Sequence, residues 1–403
     1  MSSMKYIAPA LALAGSVMAQ SSASCSAATT TIQNAGDASA LASCTTFTGN
    51  IAIATGTTDN IALDGIKKIT GDLVANNVTQ MTQLSAGNLE TITGAFSLNQ
   101  LTILSTLTFP RLTDVGKLEW EALPALQGLS FTSGVQTASE LNIQNTQLNS
   151  LDGINLQVVD TVYITNNNYL QDIEMQLGNI TDSLTIEANG NNVSVILSNL
   201  IWANNMTLRN VSTFSSPSLE SVNGSLGFYD NEFTSVQCAN LTTVGGSLSF
   251  VSNTDLKNVS MPMLKTISGG FQVANNTELY NAEGFPKLTT VGGALDFHGN
   301  FTNVTFPALT DVRGAFNLQS SGVLDCKPFD ALKKQNGVIK GKYTCAGQQE
   351  KPSGQGSTPT GTSSSASATS SGSSSSSGAA AGMYIPVAAT GFMGVVAAIF
   401  GLL

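Results

Sequence analysis

Charge is scarce in this chain. Lys, Arg, Asp and Glu together make up 10% of its 403 residues, well under half the usual share in a globular protein, so neutral polar groups or attached sugar must keep it soluble. The charge that is present sums to −10, which excludes the basic footprint of a nucleic-acid-binding protein. The single histidine, His298, has no cysteine or second histidine nearby, and this excludes a zinc-type ligand set. Neither a nucleophile elbow nor a phosphate-binding glycine loop occurs. Long apolar runs are missing except at the two ends, and no Lys or Arg follows Lys351.

Those two ends read as processing signals. Lys5 precedes an apolar stretch from Tyr6 to Met18, and Val17 and Ala19 are small residues suited to cleavage before Gln20; residues 1–19 are expected to be a secretory signal peptide. At the other end, Met383 to Leu403 is apolar with nothing basic after it to hold a spanning helix in the cytosol. Small residues at Ser377, Gly378 and Ala379 lie the right distance upstream for a glycosylphosphatidylinositol (GPI) signal. Residues 379–403 are therefore expected to be removed, with Gly378 carrying the lipid. Residues 346–378 are dominated by Ser, Thr and Gly and read as an O-glycosylated stalk that cannot build a core. Residues 20–345 remain as the exported, folded part.

Within that part a phrase LxxVxGxLxF recurs. It runs Leu219, Val222, Gly224, Leu226, Phe228; then Leu241, Val244, Gly246, Leu248, Phe250; and again from Leu264, Leu288 and Leu309. Weaker copies open at Ile66, Leu89, Leu112, Gly134, Asn155, Leu177 and Asn199, so successive openings are about 20 to 24 residues apart. A period in this range sustained over about a dozen copies specifies a solenoid. Counting each opening as position 0, apolar residues at positions 7 and 9 flank a small polar residue at 8, the period-two pattern of a strand with one buried face. Glycine at position 5 fits either a corner of positive φ or a close approach of backbones. Asn189, Asn231, Asn253, Asn276 and Asn300 recur at position 12, where inward amides would form an asparagine ladder. Phe-Pro-x-Leu phrases such as Phe285-Pro286-Lys287-Leu288 mark a bend before each new coil. The expected fold is all-β, a right-handed parallel β-solenoid. Between Val115 and Leu118 the phrase loses a residue and Trp120 appears, so a bend or lobe boundary is expected over Lys117 to Gly134.

Five cysteines in an exported chain leave one unpaired. Cys25 and Cys44 precede the regular coils and Cys326 and Cys345 follow them, so two local disulfides would staple the open ends. Cys238 falls in the slot that Phe109, Met261, Phe285 and Phe306 occupy elsewhere and is expected to be a buried apolar substitute. Eleven N-glycosylation sequons are present. With Asn300 assigned to the buried ladder, the expected acceptors are Asn77, Asn179, Asn192, Asn205, Asn210, Asn223, Asn240, Asn258, Asn275 and Asn303.

A solenoid enzyme acting on polysaccharide would group carboxylates on adjacent coils, about 4.8 Å apart. The strongest pair is Asp160 and Asp182 at position 5 of consecutive coils, a spacing a retaining glycosidase could use. Asn204 follows them in the column, and all three residue types tolerate a left-handed corner, so no catalytic, cofactor-binding or metal-binding residue is assigned.

The signal peptide, LxxVxGxLxF coils, Phe-Pro-x-Leu corners, terminal cysteine pairs, serine-rich stalk and GPI signal together resemble the fungal GPI-anchored cell-wall organisation proteins. These carry receptor L-domain-like repeats and are related to sporulation-specific wall proteins. The resemblance implies a leucine-rich-repeat-like β-helix at the outer leaflet of the plasma membrane and in the wall, needed for wall integrity, with no catalytic activity and no cofactor. Its partners would be wall polysaccharide or mannoprotein, and the membrane through the lipid. A glycan- or peptide-binding receptor or adhesin is the alternative, and a wall-remodelling enzyme a third.

From the coil at Asn155 to that at Leu309, the outward strand positions 6, 8 and 10 hold one sequon asparagine, Asn205. A sheet surface bare of N-glycan is the expected contact face. Its C-terminal half offers Tyr229, Gln272, Asp296, His298, Asn317 and Gln319, groups that stack on or hydrogen-bond a sugar.

Overall fold

The computed structural model describes residues 24–334 and 337–354. The expected signal peptide, the GPI signal with Gly378, and the stalk beyond residue 354 lie outside them. The chain winds into a parallel β-solenoid of about 13 turns of roughly 22 residues, with 4% helix.

The coil from Leu241 shows how the repeat becomes structure. Thr243–Val244 is a short strand paired in parallel with Ser221–Val222 before it and Thr266–Ile267 after it. The chain then bends through Gly245 and Gly246 into Leu248–Val251, which pairs with Leu226–Tyr229 and Phe271–Ala274 in unbroken register. Leu248 and Phe250 point inward and are fully buried. A third, shorter strand, Asn258–Ser260, lines the opposite wall and pairs with Ser235–Gln237. Met261-Pro262-Met263-Leu264 closes the coil as a β-turn in which Leu264 N–H donates to Met261 O at 3.1 Å, proline supplying the fixed φ of the second turn position. Phe109, Cys238, Phe285 and Phe306 begin equivalent turns and are all buried. The inward columns form one continuous core, where successive rings meet: Phe228 stacks on Phe250 with centroids 5.0 Å apart.

The glycines at position 5 answer to close approach, and none of Gly224, Gly246, Gly269, Gly293 or Gly314 has a positive φ. A Cβ on Gly269 would lie 2.7 Å from the carbonyl carbon of Gly246, and one on Gly293 2.8 Å from that of Gly269. The column is empty so that each coil can sit on the one before. Left-handed backbone occurs instead at position 11, in Asn77, Gln100, Asn145, Asn166, Ala188, Asn210, Asp230, Ser252 and Asn275, all with φ between 51° and 57° or at 58°.

The next residue builds the ladder. Asn276 Oδ1 accepts the backbone N–H of Asn253 at 2.9 Å and its side-chain Nδ2 at 3.0 Å, while Asn276 Nδ2 donates to Phe250 O. Asn253 repeats this with Asn231 and Phe228. An earlier run joins Thr146, Asn167 and Asn189, and buried Val211 separates the two. Asn300 is not in the ladder. The preceding strand, Leu295–Gly299, is longer than its counterpart Phe271–Ala274, Phe301 takes the inward place, and the Asn300 side chain is half-exposed at the corner.

The missing residue after Val115 makes no lobe boundary. A bulge between Ile92 and Ala95 absorbs it, and Asp114–Leu123 continues the sheet in register with both neighbours. Trp120 fills the core position between Leu98 and Ile143 and is fully buried against Phe96 and Phe131.

Both ends are capped. Ser26–Ile32 and Thr46–Ile53 already pair in parallel, so the solenoid begins well before Ile66, and the Cys25–Cys44 disulfide ties these two coils. At the other end the helix Lys327–Lys334 lays Phe329 over the last rings, Cys326 bonds Cys345, and Tyr343–Ala346 adds a final strand to Phe316–Ser320. The described chain continues past residue 345. It turns back as a strap whose Gln348 and Gln349 amides donate to Gly322 O and Ser320 O at 2.9 and 2.8 Å.

Candidate contact face on the long sheet

The strand positions 6, 8 and 10 line up across coils as three outward columns, and the strap decides which part of them is open. Asn317 Nδ2 donates to Ser353 O at 2.9 Å and to Asp296 Oδ1 at 2.7 Å. Ser353 N–H donates to Gln319 Oε1 at 3.3 Å. Gly354 lies against the Asp296 carboxylate and the His298 ring, and His298 Nδ1 is 3.5 Å from Asp296 Oδ1. Asp296 and Asn317 are consequently 3% and 2% exposed. Four of the six expected contact residues, Asp296, His298, Asn317 and Gln319, are thus engaged by the chain's own strap or the groups beneath it. Gln272 stays half-exposed. Tyr229 leans back over Gly227, where a Cβ would fall 2.4 Å from the ring, and the Arg209 guanidinium is 5.3 Å from the ring centroid.

The open part of the face lies N-terminal to this. Arg209 pairs with Asp230 and approaches Glu187 Oε2 at 3.8 Å, and Tyr163 Oη donates to Glu187 Oε1 at 3.4 Å. This chain of alternating groups crosses coils without interruption. Burial and the neighbouring Glu187 carboxylate push the Tyr163 hydroxyl above the usual phenol range. Further along, Lys117 Nζ contacts Glu140 Oε2 at 2.9 Å, a hydrogen bond that raises the lysine. Glu119, two residues along the same strand, is half-buried, and burial with the Glu140 charge holds its carboxyl above the ordinary range. Asn99 Nδ2 donates to Glu121 Oε2 at 3.0 Å.

Column counting from the repeat openings misses this cluster, because the residue lost after Val115 shifts Lys117, Glu119 and Glu121 each one position out of step. The register, Glu119 opposite Ser97 and Asn142, restores them to the outward face. Asp160 and Asp182 are both exposed but are not left-handed, so that reason for their presence fails. They sit at bulges in adjacent strands, where Asp160 Oδ1 accepts from Thr181 and Asp182 Oδ2 from Thr161 at 3.2 Å. Each carboxylate thus braces the neighbouring coil.

Position 6 has a related use. Asn205 Oδ1 accepts the backbone N–H of Ser225, Ser225 Oγ that of Ser247, and Ser247 Oγ that of Gly270, all at 3.0 Å. Among the expected glycan acceptors, Asn205 alone lies in the outward columns. Asn77, Asn210 and Asn275 occupy the left-handed corners, Asn258 and Asn303 the opposite wall, and Asn192, Asn223 and Asn240 are exposed outside strands. Asn179 is half-buried where a strand begins. Cys238 is unpaired and buried, and burial pushes its thiol up to about 12. Among the described residues there is no group of His, Cys, Asp and Glu suited to a metal ion, and no helix long and apolar enough to cross a membrane.

Known proteins are similar in sequence along most of the chain. A cell surface GPI-anchored protein of Arthroderma benhamiae is 42% identical over 86% of this chain and 88% of its own. The chain belongs to the Ecm33 family. Protein ecm33 of Aspergillus fumigatus is 41% identical over 88% of each chain, and sporulation-specific protein 2 of Saccharomyces cerevisiae 35% over 78% of this chain and 63% of its own. The family model, described as Ecm33, GPI-anchored cell wall organization protein, matches residues 1–42. No solved structure is significantly similar.

Proposed function

We propose that this Ecm33-family protein is a non-enzymatic, GPI-anchored scaffold that organises the fungal wall by holding wall polysaccharide or mannoprotein against the open coils of its long sheet. The observation that carries this reading is the one-sided placement of sugar acceptors. Corners, strand ends and the opposite wall hold nearly all the sequons, and the outward columns of the sheet from Lys117 to Arg209 present Lys117, Glu119, Glu140, Asn142, Tyr163 and Arg209 with Asn205 as their one acceptor. A rigid surface that stays bare while its surroundings are coated is where a partner can reach protein. The paired and braced carboxylates suit recognition of hydroxyls through hydrogen bonds.

Two single substitutions test it. Gln144→Thr completes a sequon at Asn142, on the face; Gln100→Asn completes one at a left-handed corner that asparagine accepts readily. In a deletion strain challenged with wall stress, the corner variant should restore growth and the face variant should not, with both secreted equally. Full rescue by Gln144→Thr carrying its glycan would remove the face from the mechanism. Release of the protein from membranes by phosphatidylinositol-specific phospholipase C checks the anchor.

A further inference from the structure

Asn300 stands at the mouth of a cleft of about 370 Å³ formed where the strap crosses the corners of the last coils. Asn275, Thr277, Asn300 and Ser321 line it from the solenoid, and Glu350 and Pro352 from the strap. We infer that Asn300 is itself N-glycosylated and that the first sugar of its glycan occupies this cleft, fastening the strap to the solenoid.

Four observations support this. Asn300-Phe301-Thr302 is a sequon, and the departure of Asn300 from the asparagine ladder frees it for modification. Phe301 is buried and Thr302 exposed, so the corner offers acceptor and hydroxyl residue outward on either side of an inward anchor. Asn300 Oδ1 accepts from Ser321 Oγ at 3.2 Å, a bond that survives modification because glycosylation consumes an Nδ2 hydrogen and leaves Oδ1 unchanged. The cleft lies at the small end of the roughly 300–1,000 Å³ range of ligand sites. It joins hydroxyl, amide and carboxylate groups to the apolar edge of Pro352, the mixture that a pyranose ring with its acetamido group requires.

The modification itself is ordinary secretory chemistry. Asn300 Nδ2 attacks the anomeric carbon of N-acetylglucosamine on a lipid-diphosphate-linked oligosaccharide, the bond to the diphosphate oxygen breaks, the lipid diphosphate leaves, and the amide gives up one proton. The sugar then bridges two stretches of chain that otherwise meet through few bonds. Asn275 lines the same cleft at an exposed corner and serves as the comparison.

The test reads the strap directly. Full-length protein purified from its own membranes is analysed by glycopeptide mass spectrometry and by hydrogen exchange at Gln348 and Gln349, in three states: intact, trimmed by endoglycosidase H to a single N-acetylglucosamine per site, and as Thr302→Val. The glycan should be found on Asn300, trimming should leave exchange unchanged, and Thr302→Val should accelerate it about tenfold or more. Thr302→Ser, which keeps the sequon, should restore slow exchange, and Asn275→Gln should have no effect. An unmodified Asn300 overturns the inference, as does native exchange in Thr302→Val. Fast exchange in a glycosylated Thr302→Ser protein would assign the effect to the threonine side chain and overturn it equally.

Discussion

Asn253 Nδ2 donates to Asn276 Oδ1 one coil further on, at 3.0 Å, while Asn253 Oδ1 receives both the backbone and side-chain N–H of Asn231. Each amide in the ladder therefore satisfies its neighbours on two sides. Asn253→Ala strands buried polar groups of Asn231 and Phe228, each at about 1–3 kcal/mol. It should lower unfolding free energy by about 3 kcal/mol or more in a denaturant titration. Asn300→Ala, outside the ladder, should cost less than about 1 kcal/mol.

Glycine stacking gives a sharper contrast. Gly269→Ala places a methyl 2.7 Å from the carbonyl carbon of Gly246 and 2.7 Å from Ser247 Oγ, so two coils must part. The expected loss is about 1–3 kcal/mol. Gly128 has nothing within 4 Å of its missing Cβ, and Gly128→Ala should leave stability unchanged or raise it by up to about 1 kcal/mol. Equal losses in both variants would show that close stacking does not explain the column.

Alkaline pH should weaken the fold through Cys238. Burial holds its thiol at about 12 against about 8.5 in an unfolded chain. Above about pH 8.5 the unfolded state releases a proton that the folded state keeps, so stability falls with rising pH, by up to about 1.4 kcal/mol per unit for this one group, until the folded thiol titrates. Cys238→Ala starts lower at pH 7 because it opens a cavity, and its curve should converge on that of the native protein between pH 9 and 11. In the native protein the thiol should resist a disulfide reagent at pH 8 until denaturant is added.

The C-terminal staple acts locally. Cys326 and Cys345 are 19 residues apart, and closing a loop of this size is worth about 3 kcal/mol. Coils in a solenoid contact only their neighbours, so the double Ser variant should lose hydrogen-exchange protection in Tyr343–Ala346 and the strap while the Leu248–Val251 region keeps its own. Loss of protection throughout would show a cooperative unit larger than the cap.

The repeat, the buried columns, the proline turns and the role of Cys238 were legible in the sequence because each rests on a residue type recurring at fixed spacing. What escaped was set by register or by chain direction. Lys117, Glu119 and Glu121 dropped out of the outward columns through one deleted residue that the sheet absorbs at Ile92–Ala95. The left-handed corner carries Asn, Asp, Ser, Ala and Gln, so no single residue type marks it. The strap reads as stalk because Ser353 and Gly354 have the stalk's composition; its bonds to Gly322, Ser320, Asn317 and Gln319 are not visible in composition.

The strap also sets the geometry of attachment. Chain leaving at Gly354 does so above the strand Leu295–Gly299, near one tip of a rod whose roughly 13 turns, at about 4.8 Å each, extend about 60 Å. A tether fixed at that tip would make the reach of each coil from its attachment a property of coil number. Gln272 lies within a few coils of that tip, whereas Lys117, Glu119 and Glu140 lie several nanometres along the rod from it, a separation that lengthening or shortening the solenoid by whole repeats would change in even steps.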